Sequence, residues 1–85
     1  MNQAIQFPDR EEWDAEHQAV RFPALVNGII LTCAISAEAL YQRFGKGDAV
    51  ALFKTHRWDL EEEAESAILS EAFGDQDWVW LASAR

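Results

Sequence analysis

The stretch HRWDLEEEAE, residues 56–65, puts a histidine, an arginine, a tryptophan and five carboxylates into ten residues. On one helix His56, Asp59 and Glu63 fall at i, i+3 and i+7, which stacks an imidazole beside two carboxylates along one edge. Such a row can ligate a cation or move protons. The plainer reading is a charge pair in which Asp59 or Glu63 holds His56 at the core boundary, because a helical zinc site is better marked by two histidines four residues apart. The same helical wheel gathers Trp58, Glu61, Glu62, Glu65 and Leu69 into a second row, well over 100° from the apolar stripe. Leaving an indole in water costs about 1.5 to 3 kcal/mol relative to burying it, so a cover is expected. Two covers fit: a partner protein, since a tryptophan ringed by charge is typical of binding hot spots, or this chain's own Trp13 loop or C-terminal tail.

Other chemistry-bearing residues are sparser. Cys33 is the single cysteine; it cannot form an internal disulfide, and in an apolar strand it reads as an inert small hydrophobe. His17 lies in a polar connection and is expected to be solvated. FGKGD, 44–48, loosely resembles an anion-binding turn but lacks the Walker spacing, so it reads as a turn between helices. Trp78 and Trp80 share one face of a terminal strand, with Val79 and Leu81 on the other. They are compatible with a stacking platform for bases or sugars, although core or subunit packing is the simpler assignment. No cofactor and no metal site is expected.

The elements that must position these residues follow from pattern and punctuation. In AVRFPALVNGIILTCAIS the dipeptide Asn27-Gly28 suits a two-residue type I′ turn, whose central positions both need positive φ. That turn sets Val26 opposite Ile29, Ala24 opposite Leu31, Phe22 opposite Cys33 and Val20 opposite Ile35, all on one side of the hairpin. Arg21, Pro23, Leu25, Ile30, Thr32 and Ala34 form the other side. Pro23 has no amide proton for a central ladder, which predicts an edge strand or a bulge. AIQF, 4–7, alternates like a short strand, REEWDAEHQ reads as a connection with at most a helical turn, and DWVWLAS, introduced by a Gly74-Asp75 turn, reads as a final strand. Ser36 can cap a helix over 37–44 that stops at Gly45, and Asp48 can cap a second from Ala49 that meets no breaker before Phe73. Its apolar stripe is Ala49, Val50, Phe53, Leu60, Ala64, Ala67 and Ile68. A straight helix of that length spans about 37 Å against about 26 Å for an eight-residue strand, so it must overhang the sheet, bend or end early.

The expected fold is therefore a single two-layer α+β domain over 1–85, β-β-β-α-α-β, with a mainly antiparallel four-stranded sheet and two helices on one face. Hydrophobic residues at 49% can build a core without staples, and charged residues at 26% are ordinary for a globular chain. Fifteen acidic against seven basic residues give a net charge of −8. That field repels phosphates and anionic lipid headgroups and attracts a basic protein partner. The N-terminus lacks a signal-peptide pattern and no apolar run approaches about 20 residues, so a cytoplasmic protein without a membrane span is expected.

Taken together and in order, AIQFPDREEWD, AVRFPALVNG, LTCAIS, HRWDLEEEAE and WVWL resemble the small bacterial YrdB-like proteins, the family known as domain of unknown function 1488. The resemblance implies a compact α+β domain and brings no activity, cofactor or catalytic residue with it. From the residues themselves, the leading expectation is a non-catalytic interaction or regulatory module using the Trp58, Glu61, Glu62, Glu65 and Leu69 face. The alternatives are a small enzyme or metal-binding protein using His56, Asp59 and Glu63, or an acidic mimic of nucleic acid. A homodimer is compatible with the exposed strands.

Overall fold

The computed structural model describes residues 5–71 and 77–81. In chain order the elements are β1 (Ile5–Gln6), β2 (Glu12–Asp14), β3 (Ala19–Val26), β4 (Ile29–Ser36), α1 (Ala37–Phe44), α2 (Ala49–Thr55), α3 (Arg57–Leu69) and β5 (Val79–Trp80). The α+β class stands, with five strands among the described residues where four were expected and three helices where two were. Ala4, the Gly74-Asp75 turn, Phe73 and the end of the last expected strand lie outside the described residues.

The β3–β4 hairpin follows the local chemistry closely. Asn27 and Gly28 both take positive φ, 52° and 81°, as a type I′ turn requires, and the register pairs Val26 with Ile29, Phe22 with Cys33 and Val20 with Ile35. Val20, Phe22, Ala24, Cys33 and Ile35 are buried on one face, against Phe53 of α2, Leu40 of α1 and Leu60, Ala64 and Ile68 of α3. Toward the turn the hairpin outruns this core, leaving Ile29 and Ile30 exposed.

Pro23 corrects an expectation. β3 is not an edge strand: it pairs with β4 on one side and with both β1 and β2 on the other. Counting out from the two-residue turn, Pro23 and Thr32 form a non-hydrogen-bonded pair, so the proline nitrogen points away from β4. There β1 covers Leu25 and Val26, β2 covers Ala19 to Arg21, and Pro23 falls between them. The missing proton has no ladder partner to disappoint. β2 itself was expected to be connection; only its pairing with β3 makes Glu12–Asp14 a strand. β5 runs parallel to β4, with Cys33 opposite Val79 and Ala34 opposite Trp80.

The caps form as the residue types dictate. Ser36 Oγ accepts from the Ala39 amide at 3.0 Å, an Asp48 carboxylate oxygen accepts from Ala51 at 3.0 Å, and Gly45 at φ 92° donates to Tyr41 O. FGKGD is thus an interhelix turn. The long second helix does not run unbroken, however. It bends at His56 (φ −111°, ψ 24°), which ends α2 and begins α3, and α3 closes at Ser70. Bending and ending early solves the length mismatch: α2 packs on β2 and β3, while α3 packs on β5. No proline or glycine marks the break.

Candidate functional site

The bend at His56 dissolves one expected row. The His56 ring stacks flat on Phe44, with centroids 3.7 Å apart and planes 6° apart, and the Glu63 carboxylate is held by Arg43 at 2.8 Å. Asp59 is exposed. Neither Asp59 nor Glu63 hydrogen-bonds His56 among the described residues, so the three are not assembled as a ligand or proton-transfer set, nor as the charge pair that was the plainer reading.

The other row survives, because the bend precedes it. Trp58, Glu61, Glu62, Glu65 and Leu69 all lie on α3, and Trp58 is 86% exposed and Leu69 58%. Trp13 does not cover the indole: it faces a separate hollow with Tyr41, Asp48 and Val50. The tail, the other internal cover considered, lies outside the described residues. Beside Trp58 runs a groove of about 430 Å³, lined by Ile5 and Phe7 from the β1 side and by Asp59, Glu61, Glu62 and Glu65 from α3. Ile5 and Phe7 are half-buried against the core, so the groove has an apolar side and an acidic side.

Arg57 sets the groove's geometry. Its guanidinium bonds Glu11, reaches Asp9 at 2.7 Å and Glu61 at 3.3 Å, and lies 5.2 Å over the Phe53 ring. The loop after β1 is thereby tied to the first turn of α3. Burial by itself pushes the Glu11 carboxyl up, but hydrogen bonds from Arg57 and from its own backbone amide, with the charges of Arg57 and Lys54, outweigh it and hold Glu11 below its ordinary 4.5. Glu61 is occupied by the same arginine and Glu63 by Arg43. Asp59, Glu62 and Glu65 have no cation paired with them among the described residues. Nothing in the residue spacing signals Arg57 as the organiser, since Glu11 lies 46 positions away.

A second cluster, on the sheet face opposite the helices, was not anticipated. His17, expected to be solvated, bonds an Asp14 carboxylate oxygen through Nδ1 at 2.9 Å and packs on Trp78 and Trp80 at 4.9 and 6.1 Å. The two indoles stack on each other at 5.7 Å, and Arg21 lies 5.6 Å over Trp78. Asp14 also accepts from the amides of Glu16 and His17, a turn-closing pattern that D-x-x-H spacing could have suggested. Asp14, Glu16 and His17 bring three potential ligand atoms within 4.8 Å of one another, yet their hydrogen bonds are those of an ordinary closed turn. Ala19 and Ala34 are fully buried although they lie on this face, so the rings act as its cover. Trp78 and Trp80 thus stack on each other and on His17, with Arg21 over Trp78, as a small reverse-side layer.

Cys33 is fully buried, and burial pushes its thiol up to about 12. The native protein should therefore show no labelling by a thiol-directed reagent at pH 8 over the time in which the same chain in denaturant reacts completely; rapid native labelling would contradict the burial.

Fold and groove define a small α+β domain with an acidic, tryptophan-bearing helix face beside a short edge strand. Among the described residues no helix is long and apolar enough to cross a membrane. The chain belongs to the family described as Protein of unknown function (DUF1488), whose model matches residues 5–81. It is 62% identical to the Uncharacterized protein YrdB of Escherichia coli (strain K12) and 61% identical to that of Shigella flexneri, each match covering 95% of this chain and 99% of the relative. The crystal structure of a protein of unknown function from the same family in Shewanella loihica PV-4 superposes with a TM-score of 0.88 at 33% identity, covering 94% of this chain and 93% of that one.

Proposed function

We propose that this protein is a non-catalytic interaction or regulatory module that docks a basic protein partner on the α3 face formed by Trp58, Glu61, Glu62, Glu65 and Leu69. One observation carries the reading: the indole of Trp58 stands 86% exposed at the rim of a groove whose other members are two half-buried apolar side chains and four carboxylates. An exposed indole is a costly feature for a surface to keep without a cover. A rigid aromatic beside apolar floor and charged rim is the composition of an interface hot spot, and the net charge of −8 steers a basic partner toward it.

The experiment is affinity capture from a lysate of the source organism with four baits: the wild type, Trp58→Ala, Glu62→Lys and a charge-matched control, Glu38→Lys, on exposed α1 surface. The expected result is one partner retained by the wild type and the control and lost by the two groove variants. Trp58→Ala and Glu62→Lys should stay within about 0.5 kcal/mol of the wild type, as surface changes usually do, while Glu38→Lys, which reverses a charge in the first turn of α1, should cost about 1 kcal/mol and leave the domain folded. Unfolding by Trp58→Ala, or capture indifferent to both groove variants, would remove the reading.

A further inference from the structure

Resting on the docking reading above, we infer that the groove takes an extended, arginine-bearing peptide segment of the partner, which pairs with the open edge of β1 and lays an arginine across Trp58. Three features of the site converge on this occupant. β1 ends the sheet, and no described strand pairs with its outer side. Its Ile5 lines the groove that faces Trp58, so a strand added at that edge runs along the groove wall, its alternate side chains directed toward the helix. Edge backbone groups supply the pairing and the groove supplies the selectivity.

The carboxylates then choose the side chain. Of the four that line the groove, Glu61 is already engaged by Arg57, whereas Asp59, Glu62 and Glu65 have no cation among the described residues. Glu62 lies one helical turn beyond Trp58 and Glu65 about two, so on α3 both share its side. A guanidinium stacked on the indole presents its planar fork to a neighbouring carboxylate at the same time; an ammonium offers a point charge and no plane to stack. Ile5 and Phe7 accept an apolar residue two positions from that arginine, the next side chain on the same face of the added strand. The Arg57 clamp on Asp9, Glu11 and Glu61 holds strand side and helix side at fixed separation, so little ordering remains to be done on binding.

Three end-blocked synthetic hexapeptides provide the probes, threonine-valine-threonine-arginine-threonine-valine and its versions with lysine or glutamate in place of the arginine, so that the central charge and the valines share one face of the strand. Each is titrated into the full chain and followed by amide and indole NMR shifts. The arginine peptide is expected to move the Trp58 indole N–H and the Ile5 and Gln6 amides together, to bind about tenfold more tightly than the lysine peptide, and to weaken by about tenfold in Glu62→Lys. The glutamate peptide should not bind. Equal affinity for the arginine and lysine peptides, shifts that spare Ile5 and Gln6, or no binding overturns the inference. The capture experiment separates the two levels: a partner lost by Trp58→Ala together with a failed arginine peptide sinks the occupant and keeps the docking face, while failure of both removes both.

Discussion

Phe53→Ala should lower the stability of the domain by about 3 to 5 kcal/mol. Phe53 is fully buried and belongs to the core that joins all three helices to the hairpin. Its ring meets Phe22 at 4.8 Å, and the Arg57 guanidinium lies 5.2 Å over it. Truncation removes the transfer free energy of the ring and leaves a void between α2 and β3 that a two-layer domain cannot close without moving the helix. In a domain of this size each kcal/mol is worth about 4 to 8 °C in melting temperature, so a drop of at least about 12 °C should be seen by calorimetry. The contrast with Trp58→Ala is the informative part. Two aromatic residues five positions apart are expected to differ by about 3 to 5 kcal/mol, since one lies in the core and the other in water. A melting temperature within about 3 °C of wild type for Phe53→Ala would mean that the core is not assembled as described.

Arg57→Ala should cost about 1 to 3 kcal/mol at pH 7, less than a fully buried pair because Asp9 and part of the guanidinium are in contact with water. What is lost is chiefly the partner of Glu11, whose side chain is only 9% exposed. The pH dependence identifies the mechanism. In the wild type the Glu11 pKa is depressed, so its contribution is present above the ordinary value of 4.5 and is lost as pH falls through the lower folded value. In the variant, burial acts on Glu11 without the arginine's hydrogen bond, and protonation relieves the penalty. The gap between wild type and variant should therefore narrow as pH is lowered from 7 to below 4.5. Urea unfolding at several pH values measures it, and a gap independent of pH would assign the effect to lost packing on Phe53 instead. Arg57→Lys, which keeps charge but not the fork that reaches three carboxylates, should recover only part of the loss.

How much of this was readable in the chain varies with the range of the forces involved. Asn27-Gly28 needs nothing beyond its own φ preferences, and with the turn set, the pairing of Phe22 with Cys33 and the buried side of the hairpin follow by count. Ser36, Gly45 and Asp48 act on groups within four residues, and their helix ends came out where expected. The outward direction of Trp58 is also local, because it depends only on its angle from Leu60, Ala64 and Ile68 within α3.

The bend at His56 is different in kind. Phe53 and Leu60 are seven residues apart, a spacing that a straight helix and this bent one satisfy equally, so periodicity is blind to the break. The break answers to the width of a sheet built elsewhere in the chain. Glu12–Asp14 likewise has little strand character alone and becomes β2 by closing against Ala19–Arg21, just as Pro23 is tolerated because β1 and β2 happen to leave it a gap. His17 reached two tryptophans, and Arg57 reached Glu11, across separations that no local pattern records.

Turns, caps and apolar phase are short-range consequences of side-chain chemistry, and the amino-acid order specified them along with membership of the family. The joining of distant charges, the orientation of β5 and the meeting of Trp58 with Ile5 and Phe7 in one groove came only with packing. They depend on which surfaces remain after the core has closed, and that is a property of the whole chain in three dimensions.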